Sequence, residues 1–274
     1  MKKLPFAWLY RQSKNEKTKL FIRELENKIK SIKRKDIFTI INIKQKFPLK
    51  LGKWNIWLNR ENSLNSLENY LEIFKYKHHT KITNFPSKNN SVVIDLGANE
   101  GFYVLKVKEM APKSKIIAVE PNPSAFKVLK KNVEANKLKN IIIVNKAVTS
   151  KNGKINFEIV KGLTEIGAVK VYKKFRKRNR LKKIVVNSIT LDRLCKKYKI
   201  NKIDLLKIDV EGSELDILKS SKNILSKIDK AIIEYHEAQK TITGVKKIMV
   251  KNNFKILFID RQKYYGDIYF LKFS

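Results

Sequence analysis

The chain of 274 residues has one cysteine, Cys195, so it forms no intrachain disulfide and builds no cysteine-based zinc or iron–sulfur centre. That cysteine usage fits a reducing, cytosol-like compartment. Acidic residues are few: 25 Asp and Glu stand against 61 Lys and Arg, for a formal charge of +36. Long apolar runs are also missing. The run IFTIINI at 37–43 is far shorter than the ~18–20 residues that cross a bilayer, so no integral membrane segment is expected. The start, MKKLPFAWLYRQSK, has two lysines and a short apolar stretch but no small-residue cleavage site, and charge resumes at Arg11. A retained, cytoplasmic protein is expected.

What is present is enough to fold. Apolar residues make up 43% and aromatics 10%, which excludes a fibre or a disordered tail and supports one main core with a smaller appendage. The positive charge has two readings. Clustered cations gain from counterion release on phosphate-rich or membrane surfaces. Yet Lys outnumbers Arg 52 to 9, and Lys, Ile and Asn supply 111 of the 274 residues, which resembles a compositional bias more than a phosphate reader built on arginine.

Charge and periodicity divide the chain near residue 85. Residues 1–50 carry 15 basic and 4 acidic side chains, and Leu20, Phe21, Leu25, Ile29 and Ile32 recur at helical spacing over 16–35. This predicts a basic amphipathic helix that either packs on the main domain or meets a membrane surface or polyanion. Residues 48–75 suggest a short strand pair and a helix, and FPSKNN at 85–90 is a loop. The division is therefore a basic, helical or mixed extension over 1–85 and a catalytic domain over 86–274. His78 and His79 fall before the boundary and read as ordinary surface residues.

Beyond Ser91, apolar strands alternate with amphipathic helices, the pattern of a mostly parallel sheet covered on both faces. Seven strands are predicted: 92–96, 116–120, 141–145, 205–209, 231–236, 254–260 and 267–273. Only RQKYYG joins the last two, too short for a parallel crossover, so the final strand is expected to run antiparallel to its neighbour. The fold class is α/β, a three-layer doubly wound sheet of seven strands. An insertion at 150–190 contains a run at 170–183 with nine basic residues and no acid, which reads as a solvated loop. Cys195 follows Leu191 and Leu194 on a short helix and reads as packing.

The segment VVIDLGANEG at 92–101 places an acid, Asp95, near the end of a strand, then Gly97 and Gly101 in a turn leading to a helix near Phe102. Glycine lets the backbone approach a ligand, and the helix start supplies free N–H groups. The second strand ends in Glu120, 19 residues after Gly101, where an acid can accept from both ribose hydroxyls. A G-x-x-x-G turn without the Lys-Ser/Thr of a triphosphate loop disfavours ATP and NADP. S-adenosylmethionine fits better: it carries a ribose and no pyrophosphate, and a cationic ligand in so basic a chain needs local acids such as Asp95, Glu120 and Asp209.

These blocks resemble the FkbM-type S-adenosylmethionine-dependent methyltransferases, of the class I methyltransferase fold. The resemblance rests on VVIDLGANEGFY (92–103), AVEPNPSAFKVLKKNVEAN (118–136), NKAV (145–148), ITLDRL (189–194), LLKIDVEGSELDILKS (205–220) and IIEYHE (232–237), and covers about residues 85–274. It implies a seven-stranded sheet with an antiparallel last strand, and O-methylation of a sugar, glycan, lipid-linked or other small-molecule hydroxyl. Carried over, it puts Asp95, Gly97, Ala98, Asn99 and Gly101 around the methionine part of the cofactor, Glu120 on the ribose, and Asn145 and Ala147 beside the adenine.

Methyl transfer needs an aligned acceptor oxygen and a group to take its proton. Asp209 and Glu211 in the IDVEG turn, and His236 at the end of the fifth strand, are the candidate catalytic residues. A divalent metal shared by Asp209 and Glu211 is the alternative use of those carboxylates, and no metal is assigned. An RNA methyltransferase that binds phosphates through the basic segments is the competing function; nucleic acid is the weaker expectation because the fourth strand ends in IDVEG and not in the Asn/Asp-Pro-Pro-aromatic pattern of base-amine methylation.

Overall fold

The computed structural model describes residues 6–13, 15–31, 45–60, 63–82, 85, 88–160, 167–168, 181–236, 239–261 and 265–273. Ahead of the main sheet lie α1 (Phe6–Gln12), α2 (Glu16–Ser31), the strand pair β1 (Leu49–Leu51) and β2 (Trp54–Ile56), and α3 (Ser63–Phe74). The expected amphipathic helix is thus present from Glu16 to Ser31, and its remaining residues, 32–35, lie outside the described ones.

The α/β unit follows as β3 (Val92–Leu96), α4 (Phe102–Met110), β4 (Lys115–Val119), α5 (Pro123–Ala135) and β5 (Ile141–Val144). After an insertion it resumes with α6 (Leu191–Lys197), β10 (Leu205–Ile208), α7 (Glu214–Ser220), β11 (Lys230–His236), α8 (Gln239–Lys251), β12 (Phe254–Arg261) and β13 (Tyr265–Lys272). The seven strands order as β12-β13-β11-β10-β3-β4-β5. Pairings among β11, β10, β3, β4 and β5 are parallel, while β13 runs antiparallel to both β11 and β12. The short link after β12 leaves room only for a hairpin return, so β13 slots between β12 and β11 against the direction of the rest.

Both faces of the central strands β3, β4 and β10 are buried, which is why they read as unbroken apolar runs, while the edge strand β12 is largely exposed. Alternate residues go to opposite sides. Val93, Ile116, Ala118, Leu205, Ile232 and Tyr269 pack with α3, α4 and the amino-terminal residues Leu9, Phe21, Leu25, Leu49 and Ile56. Ile94, Ile117, Leu206, Ile233 and Phe270 pack instead against Leu194, Ile217, Val245 and Met249 from α6, α7 and α8. The segment before residue 85 therefore supplies much of the cover of one sheet face. Cys195 lies in the second cluster, buried, and burial pushes its thiol up to about 12.

Two asparagines one turn apart, Asn132 on α5 and Asn136 just past its end, fasten β2 and the residue after it to that face. Asn132 accepts from the Trp57 N–H at 2.7 Å and donates to the carbonyls of Trp57 and Glu100 at 3.1 and 2.9 Å. Asn136 accepts from the Asn55 N–H at 2.7 Å and donates to the Asn55 carbonyl at 2.8 Å. Asn132 is fully buried, so Asn132→Ala strands three backbone groups without a partner. A stability loss of about 2–4 kcal/mol is expected, read as a lower urea midpoint, because each orphaned buried polar group costs ~1–3 kcal/mol.

The insertion holds β6 (Ala147–Val148), β7 (Gly153–Val160), β8 (Gly167–Ala168) and β9 (Leu181–Ile189), which form a second sheet in the order β6-β9-β7-β8. Residues 170–180 of the basic run lie outside the described residues, and Leu181–Lys183 begin β9, pairing with Glu158–Val160. This small sheet was not legible as strands: LKKIVVNSI is half exposed, and its charges mask the alternation.

Candidate active site

The site gathers where β3, β4, β10 and β11 end. Strand β3 runs into a turn with left-handed residues at Gly97 (φ +81°), Asn99 (φ +47°) and Gly101 (φ +84°). The N–H groups of Gly97 and Ala98 both donate to the Val119 carbonyl at 3.0 Å, curling the turn over the end of β4. A Cβ on Gly97 would overlap the carbonyl oxygen of Asp209, so the ends of β3 and β10 meet through bare backbone.

Glu120 follows β4 and is nearly buried. Its carboxylate is aimed by the backbone, accepting from the Asn122 N–H at 2.7 Å and the Asn99 N–H at 2.8 Å. Burial pushes it up to about 7 despite those two donors. Asn145 donates from its side-chain amide to the carbonyls of Glu120 and Pro121 at 2.8 and 3.2 Å, tying down the 120–121 turn, and Ala147 is buried at the start of β6.

Lys207 lies in mid-β10 and is buried, which a charged side chain tolerates only when paired. Its ammonium donates to Asp95 at 3.2 Å, Asp209 at 3.3 Å and the Gly97 carbonyl at 3.3 Å, three acceptors for three donors. These acids hold it well above its ordinary value against the opposing effect of burial. Asp95 is fully buried; burial raises it against the pull of Lys207, and its second oxygen has no hydrogen-bond partner among the described residues. Glu211 (φ +57°) and Gly212 (φ +103°) form the turn after Asp209, and Glu214 closes it by accepting from the Gly212 N–H at 2.9 Å. Asp209 and Glu211 thus share one turn at the end of β10.

His78 and His79 are a correction to the sequence reading: they are not surface residues. They stack at 3.9 Å between ring centres and enter the site beside Asp209. His79 is 3% exposed. Its Nδ1–H donates to one oxygen of Asp267 at 2.9 Å and its backbone N–H to the other at 3.1 Å. Its Nε2 lies 3.4 Å from Asp209 and 3.7 Å from Glu234. Burial alone would lower His79, but the charge of Asp267 and hydrogen bonds to Asp209 and Asp267 raise it to about 9. Burial, then the neighbouring His79 charge, lower His78 to about 3. Burial raises Glu234 well above the carboxylate range. For Asp267 burial is outweighed by His79, which holds it low. Asp267, Lys207 and the histidines carried no readable signal: a lone acid or lysine in a strand, and a pair of histidines in a segment without a motif. His236 ends β11, and its side chain lies outside the described residues.

The donor atoms of His78, His79, Glu234 and Asp267 all lie within 4.8 Å of one another, the spacing a metal ion would require. The contacts have another organisation. Both oxygens of Asp267 take up N–H groups of His79, so that carboxylate and imidazole are a hydrogen-bonded pair, while Nε2 of His78 lies 3.7 Å from Asp267 and 3.9 Å from Glu234.

A concavity of about 590 Å³ lies beside the start of α5, lined by Arg60, Lys127, Lys131 and Lys182 with Asn122 and Ser124, and no carboxylate is among its described lining residues. No helix among the described residues is long and apolar enough to cross a membrane.

A doubly wound seven-stranded sheet with an antiparallel β13, a glycine turn after its first strand and an acid closing the second is the class I methyltransferase fold. The crystal structure of methyltransferase FkbM from Methylobacillus flagellatus KT has this fold, with a TM-score of 0.51 over 73% of this chain and 47% of that one at 13% identity. Residues 95–262 match the family model for the methyltransferase FkbM domain, and the chain belongs to that family. It is 25% identical to 2-O-methyltransferase NoeI of Sinorhizobium fredii over 60% of this chain and 70% of that protein. It is 31% identical to methyltransferase sdnD of Sordaria araneosa over 55% and 66%, and 27% identical to hexuronic acid methyltransferase AglP of Haloferax volcanii over 55% and 58%. Family membership implies S-adenosylmethionine as methyl source. The buried acids around a glycine cradle and the unmatched oxygen of Asp95 fit a cationic, hydroxyl-bearing ligand.

Proposed function

We propose that the protein transfers a methyl group from S-adenosylmethionine to a hydroxyl of a sugar, glycan or lipid-linked acceptor. The observation that carries this reading is the convergence of Asp95, Glu120 and Asp209 on the Gly97–Gly101 turn in a chain with a charge of +36. A site of acids in so basic a protein is suited to a cation. The names of NoeI and AglP, one a 2-O-methyltransferase and one a hexuronic acid methyltransferase, support a sugar hydroxyl.

The cofactor supplies an electrophilic methyl group on a sulfonium. The turn Gly97, Ala98, Asn99 and Gly101 borders its methionine part together with Asp95, and Glu120 accepts from the ribose hydroxyls. Asn145 and Ala147 flank the adenine; with the Asn145 amide nitrogen committed to the 120–121 carbonyls, that contact falls largely to backbone. Asp209, 23% exposed against 3% for His79, is the carboxylate the acceptor meets. Glu211 shares its turn, and His236 at the end of β11 completes the set of catalytic candidates.

Calorimetry with S-adenosylmethionine tests the reading. Wild type is expected to bind, and Glu120→Ala to bind about 10²–10⁴-fold more weakly, since two charge-assisted hydrogen bonds at ~1.5–3 kcal/mol each are lost. Glu120 must be ionised to accept from the ribose, and burial pushes it up to about 7. The contribution of Glu120 is therefore nearly full by about pH 8 and is lost as the pH drops through about 7; with S-adenosylhomocysteine, a flat profile from pH 6 to 8 would count against Glu120.

The cationic cavity at Arg60, Lys127, Lys131 and Lys182 favours an acceptor with a negative group, and it is the observation that keeps RNA as the second reading. Affinity for RNA lost at ~150–200 mM salt without methyl incorporation would reject that reading. Peripheral contact with an anionic membrane through 1–50 and 170–183, in a cytoplasmic protein, belongs to the same proposal.

A further inference from the structure

We infer that His79, supplied by the segment ahead of the methyltransferase domain, is the terminal proton acceptor of the transfer, with Asp209 passing the proton to it and Asp267 positioning its ring. This rests on the methyl-transfer reading above and deepens it.

The geometry is that of an oriented base. Asp267 grips the histidine twice, through the backbone N–H at 3.1 Å and Nδ1–H at 2.9 Å. With Nδ1 so engaged, Nε2 is the nitrogen left to exchange a proton, and it faces Asp209 at 3.4 Å and Glu234 at 3.7 Å. Tyr269 donates from its hydroxyl to Asp267 at 3.5 Å, adding to the positioning of that carboxylate. Among the described residues, the imidazole is also met by the stacked His78 and by Tyr103, whose ring centre lies 5.8 Å away, and Asp209 is paired with Lys207, which also holds Asp95. Asp209 is the exposed member of the pair and His79 the buried one, so a proton taken at Asp209 is moved away from solvent.

The step balances in charge. The acceptor O–H bond breaks, an O–CH₃ bond forms and the S–CH₃ bond breaks, turning a sulfonium into a neutral thioether. The released proton passes through Asp209 to Nε2, so the positive charge lost from sulfur reappears as imidazolium. The acids around the site thus face one mobile positive charge at each stage: a proton on His79 in the free protein, where Asp209 and Asp267 raise it to about 9, and the sulfonium once the methyl donor is bound. Binding a cation beside Asp209 disfavours a second one on His79. Donor binding therefore expels a proton, and S-adenosylhomocysteine, which differs from the donor by the sulfonium charge and its methyl group, does not expel it.

The test needs no acceptor. Calorimetric titration of the full chain at pH 8.0 with S-adenosylmethionine and with S-adenosylhomocysteine, each in two buffers of different ionisation enthalpy, counts the protons released. At that pH Glu120 is mostly ionised and contributes little. Wild type is expected to release close to one proton more with the sulfonium ligand than with the thioether, and His79→Gln to lose that difference. Asp267→Asn, which keeps the histidine, is expected to cut the difference by half or more, which a merely structural role would not do; it also serves if His79→Gln does not fold. Equal release with both ligands in wild type, an unchanged difference in the His79 or Asp267 variant, or a stoichiometric divalent metal lost in His79→Gln would overturn the inference. Failure of wild type to bind either ligand would remove the methyl-transfer reading itself, and this inference with it.

Discussion

Gly97→Ala is expected to abolish cofactor binding and to destabilise the fold by about 3–5 kcal/mol. Two costs combine. A side chain at φ +81° is strained by ~1–2 kcal/mol, and its Cβ would overlap the Asp209 carbonyl, forcing β3 and β10 apart where the Asp209 N–H donates to Leu96 at 3.0 Å. Separation at that point also moves Asp95, Asp209 and the Gly97 carbonyl off Lys207, leaving charge buried without a partner. Gly52→Ala is the control: Gly52 has φ +58° with open space where the Cβ would go, so only the strain of ~1 kcal/mol is expected. Thermal unfolding and calorimetry with S-adenosylmethionine read both variants. Equal, small effects at the two glycines would mean that the ends of β3 and β10 are not in contact.

Asp209→Asn is expected to lower turnover by about 10²–10⁴-fold, the range for loss of a proton-transferring group, while cofactor affinity changes by no more than about fivefold. Lys207 keeps Asp95 and the Gly97 carbonyl in this variant, so the fold is held. The asparagine retains the shape of the side chain and loses its ability to take a proton. The split between turnover and affinity is the informative quantity, because Glu120→Ala is expected to show the reverse. Equal losses of affinity in the two variants would refute the division of roles between strand ends.

The sheet was legible because its central strands are buried on both faces and so read as apolar runs, because β12 carries an apolar run although it is largely exposed, and because the short link between β12 and β13 admits only an antiparallel return. The glycine turn, Glu120 and Asp209 were legible because each is a local signal: a residue type at a strand end at a fixed spacing. His79 and Asp267 were not, since 188 residues separate them and neither belongs to a motif. Burial of a histidine depends on what packs over it, and sequence spacing ahead of the domain gives no measure of that. Lys207 sat in plain view within LLKID, but only the approach of Asp95 from the adjacent strand explains a buried cation there. The small sheet of β6 to β9 escaped because its charged, half-exposed strands alternate too weakly to be separated from loop.

The charge of +36 has also become a matter of place. Among the described residues the cations of Arg60, Lys127, Lys131 and Lys182 line a cavity beside the start of α5, while Asp95, Glu120 and Asp209 gather at the Gly97–Gly101 turn. Lys182 belongs to the basic run at 170–183, so part of that run stands beside the cavity and not apart from it.

The most direct measurement is transfer of a labelled methyl group from S-adenosylmethionine by the purified chain to glycan, lipid-linked and RNA fractions, followed by acid hydrolysis and separation of the products. The account predicts label in an O-methyl sugar from the glycan or lipid-linked fraction, lost in Asp209→Asn. Label recovered in nucleosides, or no label in any fraction from protein that binds the cofactor, would contradict it.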